Sequence, residues 1–132
     1  MAMSVEDLRK SPMMAHLLDA LDRKEDIGHY GRLVFAMIAR HFLAEDELVE
    51  WIRKDSRVKD EQARALVLQV QGKDYSPPRR ERILEWQRQQ DFPICPEPDN
   101  PDACNVYKDL KFPPDVYEHI GWYYEQKAES KS

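Results

Sequence analysis

The stretch SPMMAHLLDAL, residues 11–21, indicates the fold class because it combines a helix start with a helical apolar stripe. Ser11 is a residue type that caps helix N-termini, and Pro12 suits the first helical position. Four apolar residues then recur at the spacing of one helix face: Met14, Leu17, Leu18 and Leu21. This stretch therefore predicts an amphipathic helix.

The same helical spacing continues outward along the chain. Further helices are predicted over about residues 30–42, 45–54, 60–71, 78–90 and 116–126. Gly72 is a typical stop for the fourth helix, and Pro78 suits the first position of the fifth. Residues 91–104 contain four prolines, which exclude a regular helix there. The sequence predicts an all-α, compact bundle of five to six helices with a long proline-rich loop.

Length and composition favour one soluble globular domain. The 132 residues are 42% hydrophobic and 34% charged. We expect residues 1–10 to be an N-terminal extension, 11–126 the helical domain and 127–132 a polar tail. No apolar run approaches the roughly 18 residues that span a bilayer, and no secretory signal is visible. We therefore expect a cytoplasmic protein that has no membrane partner.

The net charge of −5 at first argues against nucleic acid as a partner. Residues 1–90 carry 16 basic and 16 acidic groups, whereas residues 91–132 carry 4 basic and 9 acidic groups. The acidic excess thus lies near the C-terminus. A local basic patch within the neutral part is compatible with phosphate binding, although it would bind more weakly than a basic domain.

A candidate phosphate site lies at the start of the second predicted helix, in the pattern H-x-G-R. Helix N-termini present unpaired N–H groups, Gly31 leaves room for close approach, and Arg32 can contact phosphate with two N–H groups. His29 can donate a hydrogen bond or stack. The alternative is an ordinary turn glycine beside a packed histidine and a solvated arginine.

Two further residues extend this candidate surface. Arg40 lies about two helical turns beyond Arg32 and leans roughly 80° away from it. Trp51 is on the next helix, and an exposed tryptophan beside cations is typical of single-strand binding. The alternative places Trp51 in the core and pairs Arg40 with Glu47 or Glu50.

A second basic cluster follows the turn DYSPP, residues 74–78. Arg79, Arg80 and Arg82 are predicted in the first turn of the fifth helix, where cations oppose the helix dipole. An anionic partner would explain them, and so would pairing with nearby carboxylates such as Glu81 or Glu85. Both explanations remain open.

The chemistry-bearing residues give no enzyme signature: there is no Gly-rich phosphate loop, nucleophile elbow or His-Glu-x-x-His motif. Cys95 and Cys104 are the only cysteines, and their spacing is not that of a metal site. We expect buried cysteines that form a disulfide only if oxidised. We predict no metal and no cofactor.

The order and spacing of the H-x-G-R turn, the D-Y-x-P turn and the Cys-Pro at Cys95 resemble one family. It is the C-terminal domain of the large, non-catalytic subunit of archaeal and eukaryotic DNA primase, in which four cysteines hold an iron–sulfur cluster. In this alignment Met14 and Arg80 stand at the first two cysteine positions, and Cys95 and Cys104 match the others. The resemblance implies a relative that has lost the cluster.

The resemblance further implies a non-catalytic role in primer synthesis. Such a module would bind single-stranded DNA or primer–template and hold the template and the 5′-triphosphate end of the primer. A separate catalytic primase subunit or primase-polymerase would form the bonds.

The alternative is an acidic helical module that docks a larger protein partner and binds no nucleic acid. Aromatic residues near the C-terminus would contribute to that docking: Tyr117, Trp122, Tyr123 and Tyr124. The positions of Arg32, Arg40, Arg79 and Arg80 separate the two functions. Convergence on one exposed groove favours nucleic acid, whereas pairing with carboxylates favours the protein partner.

Overall fold

The computed structural model describes residues 4–73 and 75–118 and confirms the all-α prediction, with no strand in that part of the chain. Its helices are α1 (Val5–Leu8), α2 (Pro12–Asp22), α3 (Gly28–Ala39), α4 (Glu45–Ile52), α5 (Asp60–Gly72), α6 (Arg80–Gln87), α7 (Val106–Asp109) and α8 (Pro114–Glu118). Five of them are long enough to build a bundle, and the other three are single turns.

Helix α2 begins as predicted. The Ser11 Oγ accepts a hydrogen bond of 3.2 Å from the Met14 N–H, and Pro12 occupies the first helical position. The predicted apolar stripe of this helix is fully buried. Residues 4–10, which we expected to be an extension, contain the short helix α1, and its Leu8 is buried in the same core.

Two helix starts differ from the sequence prediction. Helix α3 begins at Gly28, whose φ of +79° is accessible to glycine at little cost. Helix α6 begins at Arg80 rather than at Pro78, because Arg79 is still in the extended conformation of an N-cap. Pro77 and Pro78 are both buried in the segment before it.

Helix α3 is the centre of the bundle and packs against α2, α4, α5 and α6. Its residues 34–39 are buried without a break, so this part of the helix is covered on every side. A helix that is apolar all round in this way must lie inside the fold. Residues at the two ends of α3 consequently reach the grooves between its neighbours.

The proline-rich loop is docked on the bundle and, as predicted, contains no regular helix up to α7. The His16 ring lies 2.8 Å from the Pro93 carbonyl through Nε2 and stacks on Phe92 with centroids 5.2 Å apart. Cys95 and Cys104 are buried and joined in a disulfide. Ile94 is fully buried beside them in sequence and anchors the loop to the core.

Some predictions lie outside the described residues: Asp74 of the second turn, the last helix beyond Glu118, the aromatic residues Trp122, Tyr123 and Tyr124, and the tail at 127–132. Within residues 4–73 and 75–118, no helix has the length and apolar character needed to cross a membrane.

Candidate nucleic-acid interface

The N-terminus of α3, predicted as an open anion site, is closed by the chain's own acceptors. The Gly28 N–H donates to the Asp26 carboxylate at 2.9 Å, and the Tyr30 N–H donates to Gln90 Oε1 at 2.9 Å. The Gln90 amide nitrogen donates in turn to the Ile27 carbonyl at 2.9 Å. Since these two donors are already satisfied, they are not available to a phosphate group, and the phosphate site at this helix start stays a prediction.

Gly31 has a role in packing. It is buried, and a Cβ at this position would lie 3.2 Å from Ile27 Cβ. The glycine therefore lets the first turn of α3 close over the Ile27 side chain. Its role beside a phosphate group stays a prediction.

Arg32 is part of an ion-pair cluster between two loops. Its Nη1 lies 3.1 Å from Asp55 Oδ2 and 3.2 Å from Asp26 Oδ1. Asp55 is fully buried and also accepts from the backbone N–H groups of Ile27 and Arg57. The structure records no bond from Arg32 Nε or Nη2 to any residue it describes, so that edge of the guanidinium is not used by the cluster.

Arg40 and Trp51 have structural positions. The Arg40 guanidinium donates to the Tyr75 carbonyl at 2.9 Å and 3.3 Å, which fixes the turn after α5 against the end of α3. Trp51 is half-buried and packs against the core. Lys54 lies over its ring at 4.5 Å and pairs with Asp22 at 2.9 Å. The core interpretation of Trp51 is therefore the better one.

The three arginines at the start of α6 point to different places. Arg80 donates to the Pro98 carbonyl at 2.7 Å and to the Ala103 carbonyl at 3.0 Å, so it binds the proline-rich loop. Arg79 is exposed. Arg82 is also exposed, with Nη1 3.6 Å from Glu85 Oε2, a distance at which surface pairs contribute little.

Arg79 and Arg82 border an open groove of about 460 Å³ between α3 and α6, which we call the α3–α6 groove. Its other walls are Tyr75, Pro77, Pro78 and Trp86, over a floor of Leu33 and Met37. Trp86 stacks on Tyr30 with centroids 5.7 Å apart, and the Arg82 guanidinium lies 5.9 Å from its ring. Two aromatic side chains and two arginines are thereby brought to one surface.

A second groove, of about 310 Å³, lies between α3 and α5 and is called the α3–α5 groove. Its polar side chains are His29, Arg32, Arg57, Gln62 and Gln69. Asp26 and Asp55 adjoin these cations and reduce the positive charge. This groove is less favourable for an anion than the α3–α6 groove.

The predicted site residues are thus divided. Arg79 and Arg82 line the α3–α6 groove, and His29 and Arg32 line the α3–α5 groove. Gly31, Arg40, Trp51 and Arg80 line neither of these two grooves.

At the four positions matched to cluster ligands, Met14 is fully buried and Arg80 binds the loop. Cys95 and Cys104 are bonded to each other. In the described ranges no group of three or more His, Cys, Asp or Glu side chains is placed to hold a metal ion.

Several residues that shape these surfaces, including Trp86, were not among the predicted site residues. Asp55 and Gln90 organise the start of α3, while Tyr75 and Arg57 line the grooves. Tyr75 had a signal, because it lies inside the singled-out DYSPP turn. The others carry none, since a carboxylate or amide that caps a distant helix looks like any surface residue.

No protein-family model, no curated protein and no solved structure matches the chain. The resemblance to the primase subunit stays a prediction from the motifs.

Proposed function

We propose that the protein is a non-catalytic module that binds single-stranded nucleic acid in the α3–α6 groove. The observation that carries this proposal is the meeting of Tyr75 and Trp86 with Arg79 and Arg82 in one open groove. Single strands are bound by aromatic rings that stack on bases and by cations that meet phosphates. The groove offers both kinds of contact.

Two of the residues that line the groove are cationic, in a protein of net charge −5. Arg79 and Arg82 line it, and the nearby Glu85 lies 3.6 Å from Arg82 in an exposed pair. A competing phosphate can displace such a surface carboxylate at little cost. We expect modest affinity with a steep dependence on salt, because the rest of the surface does not attract nucleic acid.

The place in primer synthesis rests on the resemblance. In this proposal the α3–α6 groove holds the template strand beside a catalytic primase subunit or primase-polymerase. The 5′-triphosphate end of the primer would lie at the α3–α5 groove, where His29, Arg57 and the unused edge of Arg32 face a common opening. This second contact is the weaker one because Asp26 and Asp55 are close by.

The test is a salt-dependent titration of labelled single-stranded DNA with the double variant Arg79→Ala/Arg82→Ala. Loss of two phosphate contacts should weaken binding and flatten the slope of log K against log salt by about 1.4. Arg23→Ala/Arg64→Ala is the matched control, because it removes the same charge from exposed arginines outside the groove. Equal effects of the two double variants would contradict the proposal.

The triphosphate contact needs a separate comparison. Arg57 has an exposed side chain and lines the α3–α5 groove but not the α3–α6 groove. Arg57→Ala should weaken binding of a 5′-triphosphate primer–template while leaving a 5′-hydroxyl primer–template unchanged. An equal loss of affinity for the 5′-triphosphate and the 5′-hydroxyl primer–template would exclude a triphosphate contact at this groove.

The second candidate is the protein-interaction module. It is favoured by the carboxylate pairing of Arg32, since this pairing leaves only one edge of the guanidinium for the expected phosphate contact. Absence of measurable binding to single strands at low salt would favour this function.

A further inference from the structure

The proline-rich loop is closed covalently by the bond between Cys95 and Cys104. Residues 96–102 between them are exposed, and three are prolines, which lack an N–H donor. The loop's own backbone hydrogen bonds are few: Asn100 donates to the Glu97 carbonyl and Ala103 to that of Asn100. The disulfide is therefore a major constraint on the conformation of this loop.

The closed loop is attached to α6 by three hydrogen bonds, and a fourth joins the chain just after the loop to the segment before α6. Arg80 donates to the carbonyls of Pro98 and Ala103 in the loop. The Cys95 N–H donates to Gln87 Oε1 at 2.7 Å. Just after the loop, the Tyr107 hydroxyl donates to the Pro77 carbonyl.

This same segment is one wall of the α3–α6 groove. Pro77 and Pro78 precede α6, and Arg79, Arg82 and Trp86 lie at its N-cap and on its first two turns. Arg80, which holds the loop, stands between the two arginines that face the groove. The conformation of the loop is thereby transmitted to the groove wall.

We propose that the Cys95–Cys104 pair is a thiol–disulfide switch that controls the α3–α6 groove. With the disulfide formed, the loop presents the Pro98 and Ala103 carbonyls to Arg80 and the wall is fixed. With two thiols, the loop regains conformational freedom, Arg80 loses its acceptors, and α6 loosens at its N-terminus. The role of this switch in controlling strand binding rests on the proposed function.

The chemistry is ordinary thiol–disulfide exchange. A low-molecular-weight disulfide accepts two electrons from the pair. The low-molecular-weight disulfide is released as two thiols, which take the two protons of the cysteine thiols, and the Cys95–Cys104 bond forms. A dithiol reductant reverses the reaction. Because both cysteines are buried, exchange requires the loop to open first, so the switch is slow compared with that of an exposed pair.

The experiment compares the full chain after equilibration with oxidised glutathione and after reduction with dithiothreitol. Mass spectrometry after alkylation counts the thiols, hydrogen exchange reports α6, and titration with single-stranded DNA reports the groove. We expect reduction to speed exchange across Arg80–Gln87 and to weaken binding about tenfold, comparable to the loss of one base stack. Two free thiols in the oxidised sample would overturn the proposal.

Variants separate the switch from the proposed function. Cys95→Ser/Cys104→Ser should match the reduced protein under both conditions. Arg80→Ala should make binding insensitive to reduction without touching the cysteines, which covers the case in which the serine variant fails to fold. If exchange responds to reduction but neither form binds DNA, the proposed function fails and the coupling of loop to α6 stands. If both forms bind equally and exchange does not change, the switch fails and the function stands.

Discussion

Arg32 and Asp55 form an ion pair of 3.1 Å in which the aspartate side chain is fully buried and the arginine side chain is 18% exposed. Asp55 also accepts from the N–H groups of Ile27 and Arg57, so one carboxylate joins the start of α3 to the loop after α4. Arg32, which its motif predicts to contact a ligand, thereby helps to stabilise the fold.

Arg32→Ala should therefore destabilise the protein. Removal of the cation leaves a buried carboxylate that keeps two backbone donors, so we expect a loss of about 1.5–3 kcal/mol in the free energy of unfolding. Chemical denaturation measures it. Arg57→Ala is the control, since its exposed side chain predicts a change within about 0.5 kcal/mol. Equal small effects of both would show that the pair contributes nothing.

Arg80 should be the structurally important arginine of the second cluster. Arg80→Ala removes two hydrogen bonds to loop carbonyls, and each bond from a charged donor contributes about 1.5–3 kcal/mol. Arg80→Lys should restore only part of the stability, because an ammonium group lacks the planar fork that spans two acceptors. Thermal unfolding compares both with Arg82→Ala, an exposed neighbour that should leave the melting temperature nearly unchanged. A stability loss for Arg82→Ala as large as that for Arg80→Ala would contradict this assignment.

Stability should fall at alkaline pH through Tyr107. Burial of this side chain, with a smaller contribution from Tyr117, raises the pKa of the hydroxyl above its usual value, while Arg79 opposes the rise. The unfolded chain therefore loses this proton at lower pH than the folded one, so stability declines as pH rises above about 10. Denaturation between pH 9 and 11 measures the slope. Tyr107→Phe should flatten it, and an unchanged slope would assign the effect to other groups.

Gln90 should be indispensable to the start of α3. Its amide accepts from Tyr30 and donates to the carbonyls of Ile27 and Phe92. Gln90→Ala leaves partly buried backbone groups unpaired, for which we expect about 1–3 kcal/mol of destabilisation. Gln89→Ala is the neighbouring control: it removes only the exposed contact with the Tyr30 hydroxyl. Equilibrium unfolding of the two variants tests the difference, and similar values would refute it.

Tyr75 should act in strand binding through its ring. Replacement by leucine removes a stacking surface from the α3–α6 groove, and we expect affinity for single-stranded DNA to fall by about 1–3 kcal/mol. Tyr75→Phe keeps the ring and should bind as the parent does. Fluorescence titration measures both. If the leucine variant has the same affinity as the parent, Tyr75 is not a stacking platform.

The helices were predictable from local pattern because each carries its own apolar stripe, and the Ser11-Pro12 start identified α2 almost to the residue. The start of α6 was misplaced because a proline can equally precede a helix in an extended segment, as Pro77 and Pro78 do. Helix α1 and helix α7 were missed since a single turn is too short to show a period.

The predicted site was less accurate for a different reason. A motif specifies residue types but not the partners that the tertiary fold brings to them. Asp55 is 23 residues from Arg32, and Pro98 is 18 residues from Arg80. These long-range acceptors bind arginines that the motifs had assigned to phosphate, whereas Arg79 and Arg82 line the α3–α6 groove.

The contact between Gln90 and the first turn of α3 also has a consequence for the order in which the chain folds. Tyr30 and Gln90 are 60 residues apart, so the acceptor for this N–H leaves the ribosome long after the helix itself. The nascent bundle of α2 to α5 lacks the acceptor for the Tyr30 N–H until residue 90 arrives. Contacts between distant residues close late and slow folding. Synthesis past Gln90 therefore supplies a stabilising contact that the N-terminal half of the protein lacks until then.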